Sequence, residues 1–252
     1  MLALVDDWGN PSPGKGGTDW FGFAALLLQD CQVDEIRRCY QTVCKCLGQQ
    51  TISPLHFRNL NPNSKYYITQ LIASENPQVS IVAVRIHEVT SEHLRQRGWA
   101  YRYYGKEMVR VATHFAVEYG EQAQVVFHRH EYLQGIENYI WNTLKNNTWY
   151  MNRHSSRRIQ YDRILGLLSV GDEDELLLGL ADCVAHACHT ALNLNPRWQQ
   201  VNPSCLNILA DCVWHGPSYD KNARLFGVIL EPGGIPTHLI PSLPYAIRRH
   251  WE

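Results

Sequence analysis

Leu2-Ala3-Leu4-Val5-Asp6-Asp7-Trp8-Gly9 is a short apolar run that ends in two consecutive acids and a glycine. A Pro/Gly-rich stretch from Asn10 to Gly17 follows, and then a second apolar run from Trp20 to Leu28. Two such runs around a turn predict a β-hairpin at the start of the chain. The acid pair has two readings at this point. It caps the turn before Gly9, or it forms one half of a metal-binding acidic centre. The second reading gains interest from Asp182, which interrupts the apolar segment Leu176-Leu177-Leu178-Gly179-Leu180-Ala181-Asp182-Cys183-Val184-Ala185. A carboxylate there is costly to bury unless a cation or hydrogen-bond donors meet it.

Beyond the hairpin, helical and strand patterns alternate. Ile36, Cys39, Tyr40, Val43 and Leu47 mark one face of a helix over Asp34 to Leu47, and Tyr66 to Ala73 reads as a second, shorter helix. Val79 to Ile86 is a β-branched run of the kind buried strands use, and Tyr104 to Tyr119 reads as a long helix. Gln124 to His128 is a further strand, Leu133 to Lys145 a helix, and Ile164 to Val170 another strand before the helix that carries Asp182. This order predicts an α/β sheet. In such sheets functional groups gather where strands end, and Asp6, Asp7 and His128 all fall at predicted strand ends. The acidic loop Gly171-Asp172-Glu173-Asp174-Glu175 either completes a site or caps the following helix, and capping is the favoured reading because acids suit the positive end of the helix dipole.

Composition excludes several classes. A net charge of −1 over 252 residues is not that of a protein that coats DNA, so contact with nucleic acid must be local. No run approaches the roughly 18 apolar residues of a membrane span. The first apolar run is broken by acids and cannot be a signal-peptide core, so the expectation is a cytosolic protein. The eight cysteines include no Cys-x-x-Cys, which favours reduced, mostly buried thiols over a metal cluster. Gly14-Lys15-Gly16-Gly17 lacks the spacing of a phosphate loop, and no Gly-x-Ser-x-Gly elbow occurs.

Two constellations carry chemistry. The acidic one joins Asp6, Asp7 and Asp182, with Asp172 or Asp174 as additions. Clustered carboxylates repel one another unless cations join them, and hard oxygen donors suit magnesium or manganese. The histidine one joins His128 and His130 at a strand end to Asp182, His186 and His189. The last three lie within about 60° of one another on a helix and offer a zinc-like alternative. Basic and aromatic residues interleave in two patches, Arg95, Arg97, Trp99, Tyr101, Arg102, Tyr103, Tyr104 and Lys106, and Arg153, His154, Arg157 and Arg158. Such interleaving suits a nucleic-acid strand, while a solvated helix start with packed aromatics explains each patch equally well.

Taken in order, Asp6-Asp7-Trp8-Gly9, the strand Phe21 to Leu27, Leu55-His56-Phe57 and Gly179-Leu180-Ala181-Asp182-Cys183-Val184-Ala185 resemble the domain-of-unknown-function 3800 family. The resemblance covers roughly residues 1 to 192 and implies a ribonuclease H-like mixed sheet flanked by helices, with helical insertions. Residues 193–252 are left as an irregular C-terminal extension packed on the same domain. It further implies a divalent-metal-dependent nuclease or related phosphodiester hydrolase. Asp6, Asp182 and His128 would hold one or two Mg2+ or Mn2+ ions, zinc being less favoured, with Asp7 beside them in the catalytic set. His56, Arg102, Lys106, Arg157 and Arg158 are the candidates for binding nucleic acid. The chain departs from the family pattern twice, with Trp8 in place of a small serine and His128 in place of an aspartate, for which Glu131 is a substitute carboxylate. The alternative is a catalytically inactive module with a degenerate metal site that binds nucleic acid or a protein partner.

Overall fold

The structure is a computed structural model that describes residues 1–12, 17–49, 53–92, 96–133, 135–146, 159–195, 197–216, 228–231 and 245. Its strands are β1 (Leu2–Trp8), β2 (Trp20–Leu28), β3 (Gln78–Arg85), β4 (Ala123–His128), β5 (Ile164–Val170) and β6 (Val228–Glu231). The helices are α1 (Val33–Cys46), α2 (Pro62–Ser74), α3 (Arg97–Tyr119), α4 (Ile136–Asn146), α5 (Leu178–Leu192) and the short α6 (Ser204–Ile208). The strands form one mixed sheet in the order β5-β4-β1-β2-β3-β6. β2 runs antiparallel to β1 and to β3, whereas β4 is parallel to β1, β5 to β4 and β6 to β3.

The predicted hairpin is present and longer than its apolar part. Its register runs from Leu2 opposite Leu28 through Asp6 opposite Ala24 and Asp7 opposite Phe23 to Trp8 opposite Gly22. Both acids are therefore paired strand residues, which removes the turn-cap reading. Trp8 is buried at the end of the strand, and a Cβ on its partner Gly22 would come within 2.8 Å of the indole, so the bare backbone of β2 makes room for the large ring. α2 begins at Pro62, four residues before the sequence-based start, because Asn61 caps it by accepting from Ser64 N and proline fits the first turn. α3 likewise begins at Arg97. The extension after residue 192 is not wholly irregular, since it supplies α6 and the edge strand β6. Its proline-rich and basic tail lies outside the described residues apart from Tyr245.

Alternation along the strands builds two cores. Leu2, Leu4 and Trp8 of β1, with Leu26 and Ile81, pack against α1, α2, α5 and α6 on one face. Ala3 and Val5, with Phe21, Phe23, Val84 and Phe127, pack against α3 and α4 on the other. Both faces of the central strands are covered, which explains why their sequences read as nearly continuous apolar runs. Among the described residues no helix is long and apolar enough to cross a membrane, and Cys39, Cys44, Cys183, Cys188 and Cys212 are buried free thiols.

Candidate functional site

The same alternation separates the two acids of the opening run. Asp6 lies on the face covered by α5, and Asp7 on the face covered by α3, where Tyr101 Oη donates to its Oδ2 at 2.8 Å. Asp6 is 7% exposed. Its Oδ1 accepts from the Asp7 backbone N–H at 2.9 Å and stands 3.2 Å from His128 Nδ1. His128 ends β4, the strand parallel to β1, so the two side chains meet at the carboxyl ends of neighbouring strands. The other ring nitrogen of His128 stands 3.6 Å from Asp172 Oδ2, and the same oxygen is 3.5 Å from His56 Nδ1. Asp172 follows β5, so three adjacent parallel strands deliver Asp6, His128 and Asp172 to one edge of the sheet.

Asp182 reaches the edge from α5, which lies across β1 and β2. Its Oδ2 accepts the backbone N–H of Phe57 at 2.7 Å. That contact depends on a close approach of the 53–57 segment to α5 at Gly179, where a Cβ would stand 2.8 Å from Leu55 Cβ and 3.0 Å from Leu55 O. Leu55 and Phe57 are buried anchors, while His56 between them is exposed at the rim.

The charges at this edge act on one another. Burial pushes the Asp6 carboxyl up to about 7, with Asp7 and Asp182 adding to the rise and His128 opposing it. Hydrogen bonding to Asp6 lifts the His128 imidazole to about 9 against the effect of burial, with Asp172 and Asp7 helping. Burial also raises Asp182, opposed by the Phe57 N–H and reinforced by Asp172. The centre thus holds protons on Asp6 and His128 more tightly than the free groups do, and a cation there would favour ionised Asp6 and Asp182.

Hard carboxylate oxygens are the donor chemistry that suits Mg2+ or Mn2+. Asp6, Asp172 and Asp182 supply that chemistry, but His128 stands between Asp6 and Asp172 as the side chains are placed. Among the described residues no group of three or more His, Cys, Asp or Glu converges at ligating distances. The zinc-like set is dispersed. His130 stacks on Tyr101 with centroids 4.3 Å apart, and His186 Nε2 stands 3.2 Å from Lys65 Nζ, an ammonium that repels any metal there. Glu131 is exposed in a 3-10 turn after β4.

Asp172 is the residue that sequence reasoning assigned elsewhere. Among the described residues no side chain caps α5, whose N-cap is Leu177; Glu175 Oε1 accepts from Leu177 N at 3.1 Å in the turn before the helix, and Glu173 and Asp174 pair with Arg129. The signal for Asp172 was its position two residues after the end of β5 at Val170. The basic patch on α3 divides by helical face. Tyr101 and Tyr104 are buried in the core, and Lys106 stands 3.6 Å from Glu107 and 4.5 Å from the Tyr103 ring centroid. Arg102 is half-buried, with an Nε that has no partner among the described residues. Arg153, His154, Arg157 and Arg158 lie outside the described residues.

The fold and the site define an α/β protein with a carboxylate and histidine centre at one sheet edge. No protein-family model, curated protein or solved structure matches the chain significantly.

Proposed function

We propose that this protein is a divalent-metal-dependent nuclease or related phosphodiester hydrolase on a ribonuclease H-like core, akin to the domain-of-unknown-function 3800 family. The observation that carries the reading is geometric: Asp6 and Asp172, both in contact with His128, and the half-buried Asp182 of α5 are brought to one edge of the sheet, a donor set whose negative charge a cation would neutralise. The strand order supports it too, with β3, β2 and β1 antiparallel and β4 and β5 continuing parallel to β1, as a ribonuclease H-like core requires.

In this reading Asp6 and Asp182 are the primary ligands for one or two Mg2+ or Mn2+ ions, and Asp172 joins them. When bound, such an ion supplies Lewis acidity toward a phosphodiester oxygen. The Phe57 N–H orients Asp182, and the Asp7 backbone N–H orients Asp6. His128, held between Asp6 and Asp172, would give its proton to the leaving oxygen as that P–O bond breaks and regain one from the water whose oxygen bonds to phosphorus. His56 at the rim meets the substrate. The test is cleavage of labelled DNA and RNA oligonucleotides with Mg2+, Mn2+ or EDTA. The reading expects metal-dependent cleavage that disappears with EDTA and with Asp182→Asn. Absence of cleavage of every substrate contradicts it.

One observation favours a second reading. His128 bridges Asp6 and Asp172 where a cation would otherwise stand, so the centre also suits an inactive module whose imidazolium has replaced the metal. That reading expects oligonucleotide or protein binding that survives chelation, with no cleavage.

A further inference from the structure

A cationic cluster adjoins the acid centre on the same side of α5. Lys65 on α2 donates from Nζ to Arg58 O at 3.2 Å and stands 3.2 Å from His186 Nε2. The ammonium lies 5.7 Å from the centroid of the Phe57 ring, which meets the His186 ring nearly edge-on at 5.4 Å. Phe57 therefore serves both clusters, its backbone N–H holding Asp182 and its ring flooring the cations. Arg58 is exposed, and Lys65, His186 and His189 are half-buried, so the cluster opens to solvent.

Its charge is unbalanced. Among the described residues neither Arg58 nor Lys65 has a carboxylate within ion-pair reach, whereas Arg37, Arg85, Arg110 and Arg129 each pair with a nearby acid. The two imidazoles are kept neutral, His186 falling to about 4 through burial and the cations around it, and His189 falling through burial and Arg58. Their proton positions follow from their partners. The Lys65 ammonium can only donate, so His186 Nε2 accepts. Trp20 N donates to Asn193 Oδ1, which identifies Asn193 Nδ2 as the donor toward His189 Nδ1 at 3.3 Å and makes His189 Nε2 the protonated nitrogen.

A guanidinium, an ammonium and an imidazole N–H with no acid of their own form the donor set that recognises phosphate. The helix rises about 1.5 Å per residue, so His186, against which Lys65 stands, lies about 6 Å along α5 from Asp182 and His189 about 10 Å, a span of one to two backbone steps of a nucleic-acid strand. We infer that Arg58, Lys65 and His189 bind a strand phosphate next to the one presented to Asp6 and Asp182. The inference rests on the phosphodiester reading of the acid centre and names where its substrate is gripped.

The test is fluorescence anisotropy of a labelled single-stranded oligonucleotide with the full chain in EDTA, across a series of salt concentrations. Arg58→Gln and Lys65→Gln are each expected to weaken binding several-fold and to reduce the slope of log affinity against log salt by about 1. Arg58→Lys retains the slope, and Lys45→Gln on α1 leaves binding unchanged. Thermal melts of each variant separate a local loss from unfolding. Unchanged affinity and slope in both glutamine variants overturns the inference, as does failure of the unmodified chain to bind any oligonucleotide. Inorganic phosphate that displaces the oligonucleotide at equal phosphate-group concentration also overturns it, by assigning the site to the free anion. Manganese titration of the same proteins distinguishes the two failures. Manganese binding with unchanged salt slopes leaves the acid centre standing without this grip, and lost slopes without manganese binding leave an anion site without a metal centre.

Discussion

Asp6 and Asp7 are neighbours in the chain and occupy opposite faces of the sheet. Asp6 faces α5 in a crowd of carboxylates, bonded to an imidazole that titrates with it. Asp7 faces α3 and is held by the phenol of the buried Tyr101. One residue of strand register decides which acid enters the reactive centre and which supports it from behind. The difference teaches that an acid pair at a strand end supplies one carboxylate to each face, so a centre built from such a pair must recruit its remaining carboxylates from elsewhere. Here they come from the loop after β5 and from α5.

Substituting the two acids separately gives the largest expected contrast. Asp6→Asn abolishes metal-dependent cleavage, whereas Asp7→Asn, which keeps the backbone N–H that orients Asp6 and alters only the contact with Tyr101, lowers it by no more than about 10-fold. Equal losses measured in parallel kinetic assays would break the distinction between the faces. Gly179→Ala sharpens it from the α5 side. The added methyl meets Leu55 at 2.8 Å and pushes the 53–57 segment away from Asp182, with an expected cost of about 1–3 kcal/mol in denaturant unfolding and a loss of metal affinity. Unchanged stability and affinity would show that the close approach is not needed.

On the α3 face, Tyr101→Phe leaves Asp7 without its phenol donor and is expected to cost about 1.5–3 kcal/mol in stability while manganese affinity stays near that of the parent. A larger effect on affinity than on stability would place Asp7 in the centre after all. The Asp6 and His128 pair predicts a pH dependence in metal-free buffer. The folded chain holds both protons more tightly than the unfolded one, so their contribution is lost with rising pH. The Asp6 part falls away between 3.8 and about 7, and the His128 part between 6.5 and about 9. Melting temperature should therefore fall more steeply from pH 6.5 to 9 in the parent than in His128→Gln, and matching slopes contradict the pairing. The smallest effect belongs to Lys106→Gln, expected within about 0.5 kcal/mol because its pairing with Glu107 is local and partly solvated.

Much of the fold was legible in apolar runs and their spacing. The opening hairpin, the strand from Ile164 to Val170 and the late helix all stand where those patterns place them. The early starts of α2 and α3 were not legible, because the first turn of α2 is polar and that of α3 mixes basic and aromatic residues around Gly98, although the Asn61-Pro62 cap was readable as a helix start. β6 escaped because four residues beside a proline-rich tail give too short a pattern to separate from loop. In the site, strand ends pointed to Asp6 and His128, and the cost of burying a carboxylate pointed to Asp182. Asp172 was hidden by local competition, since any acid just before a helix has a capping explanation. Lys65 was hidden because His186, the residue it meets on α5, is distant in sequence and is brought to it by the packing of α2, Phe57 and α5.

The most direct measurement of the central claim is a calorimetric titration of metal-free protein with manganese, run beside Asp6→Asn and Asp182→Asn. The account predicts saturable binding in the parent that is lost in each variant, because carboxylates from β1 and α5 serve one ion-binding centre. Absence of binding in the parent, or binding that survives either substitution, contradicts it.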